Sequence, residues 1–250
     1  MSLVWLYAVR LGGADRPPAG PGVDGESPRL VVEGPLVAVV GTVREEEFDE
    51  SALARAMEDL GRIERLARAH HAVIVEAAAA EPTAPLRLAT VYRDDEAVAQ
   101  MLRERAVEFG TVLERVRDRR EWGVKVYVDA KPEAPAEEPA ASSERPGTSY
   151  LLRRRADRDR GAQARERARA VADRLDDTLA QVAAGSHRMK PQDARLSGRE
   201  QEMVLNATYL VDTDGEDGFR AALAAVEAEG ATVELTGPWP PFSFATLGES

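Results

Sequence analysis

The sequence contains no cysteine, few aromatic residues and no long hydrophobic run. Without cysteine there can be no disulfide, no thiolate nucleophile and no cysteine-based metal site. The longest apolar stretch runs from Gly34 to Val43, which is far shorter than the roughly 18 residues that a membrane-spanning helix needs. No basic segment precedes the apolar residues near the start, as a secretory signal would require. We therefore expect no membrane span and a cytoplasmic location.

Positive charge is also scarce relative to negative charge. The 250 residues carry a formal net charge of −11, so nucleic acids and anionic membranes repel the chain at long range. One local exception is the arginine-rich segment Arg153 to Arg169, which is interleaved with Asp157, Asp159 and Glu166. Because it lacks aromatic residues for base stacking, we expect a solvated helix face that contacts other proteins, and no nucleic-acid partner.

Sequence motifs of enzymes and of cofactor sites are missing as well. The chain has no phosphate-binding glycine loop and no G-x-S-x-G nucleophile turn. Its three histidines are His70, His71 and His187, and their spacing does not suit a metal site with three or four converging ligands. The acidic cluster at 45–50 is typical of a helix N-terminus. We expect no enzymatic activity, no cofactor and no metal; for His70 and His71 we expect a turn or capping role between a helix and a strand.

Hydrophobic periodicity in the first half predicts alternating strands and helices. An apolar run predicts a first strand, a Gly-Pro pair predicts a hairpin, and apolar residues three or four apart predict two amphipathic helices. The predicted strands are Leu3–Val9, Leu30–Glu33, Leu36–Val43, Ala72–Ala77 and Leu86–Tyr92, and the helices run from about Leu53 to Ala69 and from about Val98 to Val116.

The second half predicts a different order of elements. From Glu121 onward the pattern reads strand, long helix, strand, strand, helix, strand, which is the βαββαβ order of a ferredoxin-like domain. We therefore predict an α+β protein with an N-terminal domain of mixed or antiparallel sheet at 1–120 and a ferredoxin-like domain at 121–250. A stretch rich in proline, alanine and glutamate predicts a mobile insertion at about 130–147.

Near the C-terminus, prolines and aromatic residues alternate in Thr236–Phe244, here called the proline-aromatic segment. Proline fixes its own φ and biases the preceding residue toward extended geometry, so the segment is expected to be a stiff, extended ledge. Its aromatic side chains could cover the core of their own domain or form an exposed apolar surface for a partner. The candidate partner-binding residues are Trp239, Pro240, Pro241, Phe242 and Phe244.

Five stretches, in this order along the chain, resemble the gas vesicle protein F/L family: VWLYAV, APLRLATVY, EWGVKVYVD, MVLNATYLVD and the terminal GPWPPFSF. The resemblance spans nearly the whole chain and implies a two-domain α+β protein whose C-terminal half is a modified ferredoxin-like fold. The sequence departs from the family pattern at three places. These are Leu88-Ala89, where a Phe-Gly pair is common, Tyr92, where Phe is common, and Phe242, where Tyr is common.

The resemblance also implies a function. Members of this family are accessory proteins of gas vesicle formation, and they are thought to associate with the small, hydrophobic shell protein and with one another. We therefore expect a non-enzymatic protein of the gas vesicle that binds the shell protein through its C-terminal domain. Two alternatives stay open: a minor structural component of the vesicle wall, or a ferredoxin-like module that binds a small regulatory ligand.

Overall fold

The computed structural model describes residues 2–13, 16–56, 58–129, 146–192, 201–226 and 231–245. The chain divides into two compact units, one formed by residues 1–121 together with 238–250 and the other by residues 122–237. The predicted boundary near 120 lies beside Glu121, the last residue of the first continuous stretch. Residues 238–250 group with the first unit, although the sequence prediction placed them in the second. The predicted insertion at 130–147 falls almost entirely on 130–145, outside the described residues.

The first unit is built on an antiparallel sheet. Its strand order is β2-β3-β1-β4, with β5 also paired to β1. Pairing of β1 with β3 runs from Ser2 opposite Arg44 to Leu11 opposite Leu36. Gly34 adopts a positive φ of 56° in the tight turn between β2 and β3, which confirms the predicted hairpin. The strands are β1 Ser2–Leu11, β2 Arg29–Glu33, β3 Leu36–Arg44, β4 Thr83–Pro85 and β5 Val91–Tyr92.

Helices cover both faces of this sheet. On one face α4 and α5 bury Leu102 and Phe109 against Leu6. On the other face, α1 to α3 pack around the aromatic side chains of β1. Because β1 contributes to two cores, it reads as a nearly continuous apolar run. The helices are α1 Glu45–Phe48, α2 Glu50–Ala56, α3 Leu60–Ala80, α4 Asp95–Glu104 and α5 Ala106–Val116.

Two predicted strands of this unit are wrong. Ala72–Ala77 is not a strand but the last part of α3, because Val73 and Ile74 are buried against the sheet from a helical backbone. Tertiary packing here overrides the strand preference of β-branched residues. The segment Leu86–Tyr92 forms a strand only at Val91–Tyr92; the residues before it form a loop in which Ala89 has a φ of 66°.

The second unit has the predicted ferredoxin-like arrangement. Its strands lie in the order β7-β8-β6-β9, so β6 and β8 are central and the hairpin strand β7 and the last strand β9 form the edges. Tyr209 on β8 and Phe219 pack with the long helix in a single core. The elements are β6 Arg119–Asp129, α6 Pro146–Val182, β7 Gly185–Arg188, β8 Gln201–Asp212, α7 Glu216–Ala225 and β9 Ala231–Trp239, with a short 3-10 turn at Thr213–Gly215.

The proline-aromatic segment is extended only over its first part. The last strand ends at Trp239, and the chain then forms a turn in which the amides of Phe244 and Ala245 donate to the carbonyl oxygen of Pro241 over 3.1 and 3.0 Å. The expectation of an extended ledge therefore fails after Trp239. Within the described residues, no helix is both long enough and apolar enough to span a membrane.

Candidate functional site

An open, mostly apolar groove lies in the first unit. It has a volume of about 620 Å³ and is lined by the outer side of α3, the loop that follows β4, and the proline-aromatic segment. We call it the aromatic groove. The residues that line it are Glu64, Ala67, Arg68, His70, His71, Leu86, Arg87, Leu88, Trp239 and Phe242.

His71 is the central ring of the groove. Its imidazole stacks on Phe242 with ring centroids 5.4 Å apart and an interplanar angle of 20°. It also meets Trp239 in an edge-on arrangement at 5.6 Å. Trp239 nevertheless remains 43% exposed. The three rings form a preformed aromatic surface, and such rings contribute large contact areas when a partner docks.

His70, the adjacent residue on α3, lies at the base of the groove and is 4% exposed. The indole N–H of Trp5 donates to its Nδ1 over 2.9 Å, and its Nε2 lies 3.0 Å from the carbonyl oxygen of Leu86. This arrangement fits a neutral imidazole that carries its proton on Nε2. Burial lowers the pKa of His70 to about 4, against the opposing effect of the Leu86 carbonyl. His70 therefore ties α3 to the loop that forms the far wall of the groove.

Hydrogen bonds to a buried carboxylate hold the turn after Trp239 in place. Glu121 is 5% exposed, and its carboxylate accepts hydrogen bonds from the amide and the hydroxyl of Ser243 over 2.7 and 2.6 Å. The guanidinium of Arg115 lies 5.7 Å from the ring of Phe244, a cation–π distance. Charge-assisted bonds to a buried carboxylate are strong, so the turn presents Phe242 from a fixed backbone.

The structure separates the five predicted binding residues into two groups. Pro240, Pro241 and Phe244 are buried in the first unit, where Phe244 fills the space beneath the turn. Trp239 is exposed and Phe242 is half-buried, and both line the aromatic groove. The two interpretations left open by the sequence each describe part of the segment, since some aromatic side chains cover their own core and others face solvent.

Sequence reasoning missed the contribution of α3, although a signal was present. Leu66, His70, Val73, Ile74 and Ala77 are all buried and follow the helical spacing of three or four residues. Continuing the helix through Ala72 would have placed His70 on the buried face and His71 on the outer face. The expected turn or capping role for the two histidines is wrong because both lie in the middle of α3.

The other sequence candidates do not form a site. The acidic residues 45–50 lie at the start of α1 and α2, as predicted, and Asp49 accepts from the amide of Ala52 over 2.7 Å. That bond and one from Ser51 lower the pKa of Asp49. In the described ranges no group of three or more histidine, aspartate or glutamate residues is placed to hold a metal ion.

Comparison with known proteins identifies the family. The model of the family described as gas vesicle synthesis protein GvpL/GvpF matches residues 3–246. Gas vesicle protein L of Streptomyces sp. (strain CB03234) is 43% identical over 253 residues, covering 99% of this chain and 94% of that protein. Gas vesicle protein F of the same organism is 27% identical over 244 residues, covering 94% of this chain and 92% of that protein.

Solved structures show the same fold. The crystal structure of the gas vesicle protein GvpF from Anabaena sp. PCC7120 superposes with a TM-score of 0.73 at 17% identity, covering 100% of this chain and 98% of that one. GvpF from Microcystis aeruginosa gives a TM-score of 0.65 at 16% identity, covering 98% and 99% of the two chains. The α+β fold with two sheets is thereby confirmed. The chain belongs to the GvpL/GvpF family of gas vesicle synthesis proteins.

Proposed function

We propose that this protein supports gas vesicle formation in the cytoplasm by binding an apolar segment of the vesicle shell protein in the aromatic groove. The observation that carries the proposal is the partly exposed Trp239 beside His71, together with Phe242 on the following turn, which hydrogen bonds to the carboxylate of Glu121 hold. An apolar surface that is already rigid loses little entropy when a partner docks. The proposed role is that of a binding protein and involves no catalysis.

The charge of the protein supports this role. A shell subunit that must assemble into a wall with a hydrophobic face is prone to aggregate before assembly, and an apolar groove on a soluble carrier can cover part of that face. The net charge of −11 favours solubility of the carrier and opposes its non-specific aggregation. Arg68 and Glu64, two of the three charged residues that line the groove, pair with each other, and the remaining lining is mostly apolar.

The similarity values favour an L-type role within the family. Identity to gas vesicle protein L is 43%, against 27% to gas vesicle protein F of the same organism. We propose that the chain takes the L position among the accessory proteins of its own vesicle system and binds other accessory proteins there. Complementation of separate deletions of the L-type and F-type genes tests this assignment, and rescue of the F deletion alone would contradict it.

The groove is tested by capturing purified shell protein with Trp239→Ala and with a matched control. Val107→Ala is the control, because Val107 is 83% exposed on the same unit and lies outside the groove. We expect Trp239→Ala to weaken capture by about tenfold or more, as loss of an aromatic anchor does, and Val107→Ala to leave it unchanged. Equal capture by both variants, each with the circular dichroism spectrum of the parent, would remove the groove from the function.

A further inference from the structure

The N-terminal half of α6 contributes no buried residue to the core of its unit among the residues whose exposure is described. Helix α6 has 37 residues, which corresponds to about 55 Å at 1.5 Å per residue. Its buried residues begin at Ala168. Before Ala168, no residue whose exposure is described is buried, and Arg155 and Arg158 are both exposed. We call residues 153–169 the arginine arm.

The arginine arm carries charge opposite to that of the remaining chain. It contains eight arginines and three acidic residues, a net charge of +5. Removing these from the totals of 33 basic and 44 acidic residues leaves a net charge of −16 for the rest of the chain. Near the core, Arg165 and Arg169 pair with Glu202. Farther out, Arg155 and Arg158 have no ion pair with any described residue.

The strongest opposite charge lies in the first unit, on α1, α2 and the turn that follows. Residues 45–59 contain seven acidic residues and one arginine, a net charge of −6. Glu46, Glu50 and Glu58 are exposed and have no ion pair with a described residue, whereas Glu47 is paired with Arg62. Leu60, directly after this stretch, is 82% exposed and could be covered by the aliphatic part of an arginine side chain. We call residues 45–60 the acidic face.

We propose that the arginine arm of one molecule docks on the acidic face of a second copy of this chain. The two surfaces carry opposite charges of similar size, and each has charged side chains without an ion-pair partner among the described residues. A nucleic acid is the less suitable occupant, because phosphates would repel the acidic residues interleaved in the arm and the net charge of −16 on the rest of the chain.

Such a contact is a head-to-tail interface and is weak. An arm that binds a different surface on its neighbour makes a head-to-tail interface, which continues from copy to copy unless a rotation closes a ring. Exposed ion pairs contribute little individually and are screened within about 10 Å at 0.1 M salt. The association is therefore weak, concentration-dependent and sensitive to salt, which suits reversible assembly of the carrier beside a growing structure.

Sedimentation of the purified, nuclease-treated full chain at low and high salt tests the proposal. We expect the average mass to rise with protein concentration at about 0.05 M salt and to fall to the monomer at about 0.5 M. The double variant Arg155→Glu, Arg158→Glu and the double variant Glu46→Lys, Glu50→Lys are each expected to weaken association by about tenfold. In a mixture, the changed arm meets the changed acidic face with opposite charges, and the unchanged arm of one variant meets the unchanged acidic face of the other. The mixture is therefore expected to associate more strongly than either variant alone.

The matched control is Arg174→Glu with Lys190→Glu. Both residues are exposed in the second unit, outside the arm, and the pair changes the net charge by the same amount as the arm variant. The control is expected to associate like the parent. A mass that stays monomeric at low salt, association seen only in a parallel sample without nuclease treatment, or a control that weakens as much as the arm variant would each overturn the proposal.

Discussion

The aromatic groove and the arginine arm are two exposed surfaces that rely on opposite physical properties. The groove places few charges around apolar rings and rests on buried hydrogen bonds, such as those of Glu121 to Ser243. The arm has no buried side chain before Ala168 among those described, and its described arginines are exposed. The groove is suited to recognise shape and apolar area, and the arm is suited to recognise charge. Salt, acid and substitution should therefore affect them differently.

The largest expected effect is acid destabilisation through His70, beneath the groove. Its pKa is about 4 in the folded protein and about 6.5 in an unfolded chain. Between these values the unfolded state binds more protons, so the free energy of unfolding falls as the pH drops from about 6.5 to about 4, by about 3 kcal/mol in total. Above about pH 6.5 this contribution is fully present.

Denaturant unfolding of the parent and of His70→Gln at a series of pH values measures this effect. Carboxylates titrate in both proteins, so the difference between the two curves isolates the imidazole. We expect the variant to be less stable at pH 7 and to lose less stability than the parent on acidification. Two parallel curves would show that His70 accepts a proton in the folded state as readily as in the unfolded chain.

The next effect compares a buried carboxylate with an exposed one. Glu121→Ala leaves both Ser243 donors without their acceptor, and we expect it to lower the free energy of unfolding by about 2 kcal/mol. Glu202→Ala, which removes the exposed partner of Arg165 and Arg169, should cost less than about 1 kcal/mol. Equal losses in denaturant unfolding would mean that the turn does not depend on its buried anchor.

Salt should separate the two surfaces in binding experiments. Between about 0.05 and about 0.5 M salt we expect self-association through the arm to weaken by about tenfold or more, because exposed charges are screened. Capture of shell protein by the groove should change by less than about twofold, since burial of apolar surface does not depend on charge. Calorimetry or sedimentation at both salt concentrations provides the comparison, and a similar loss for both surfaces would contradict it.

The smallest effect concerns Ala89, beside the groove wall, whose φ of 66° lies in the left-handed region. A side chain there costs roughly 1–2 kcal/mol, partly offset because glycine is more flexible when unfolded. We expect Ala89→Gly to stabilise the protein by about 1 kcal/mol. Ala54→Gly, in the exposed part of α2, is the control and should instead destabilise the protein. A loss of stability on Ala89→Gly would show that the backbone at Ala89 is not strained.

The second unit was predicted more completely than the first, for a physical reason. In β8 and α7 the apolar pattern, the length and the flanking residues agree, so local preference and tertiary packing indicate the same structure. In the first unit, Ala72–Ala77 has the composition of a strand but forms part of helix α3. The packing of Val73 and Ile74 against the aromatic side chains of β1 favours the helix over the strand. Strand β1 is distant from these residues in sequence.

The candidate site was predicted in part. The proline-aromatic segment was identified from its composition, and Trp239 and Phe242 do line the groove. Composition does not show which side chains a turn buries, so Phe244 and the two prolines were grouped with them. His71 and the loop at 86–88 were not identified, because they lie far from the segment in sequence and meet it only in the folded unit.

The sequence by itself determined the acidic charge, the absence of cysteine chemistry, the β8 and α7 elements, the ferredoxin-like order and the family resemblance. These depend on composition and short-range periodicity, which are local properties of a chain. Only the tertiary structure decided that residues 238–245 group with the first unit, that His70 is buried while His71 packs on Trp239 and Phe242, and that Trp239 stays partly exposed. Each of these depends on contacts between residues far apart in sequence, whose energies no local pattern encodes.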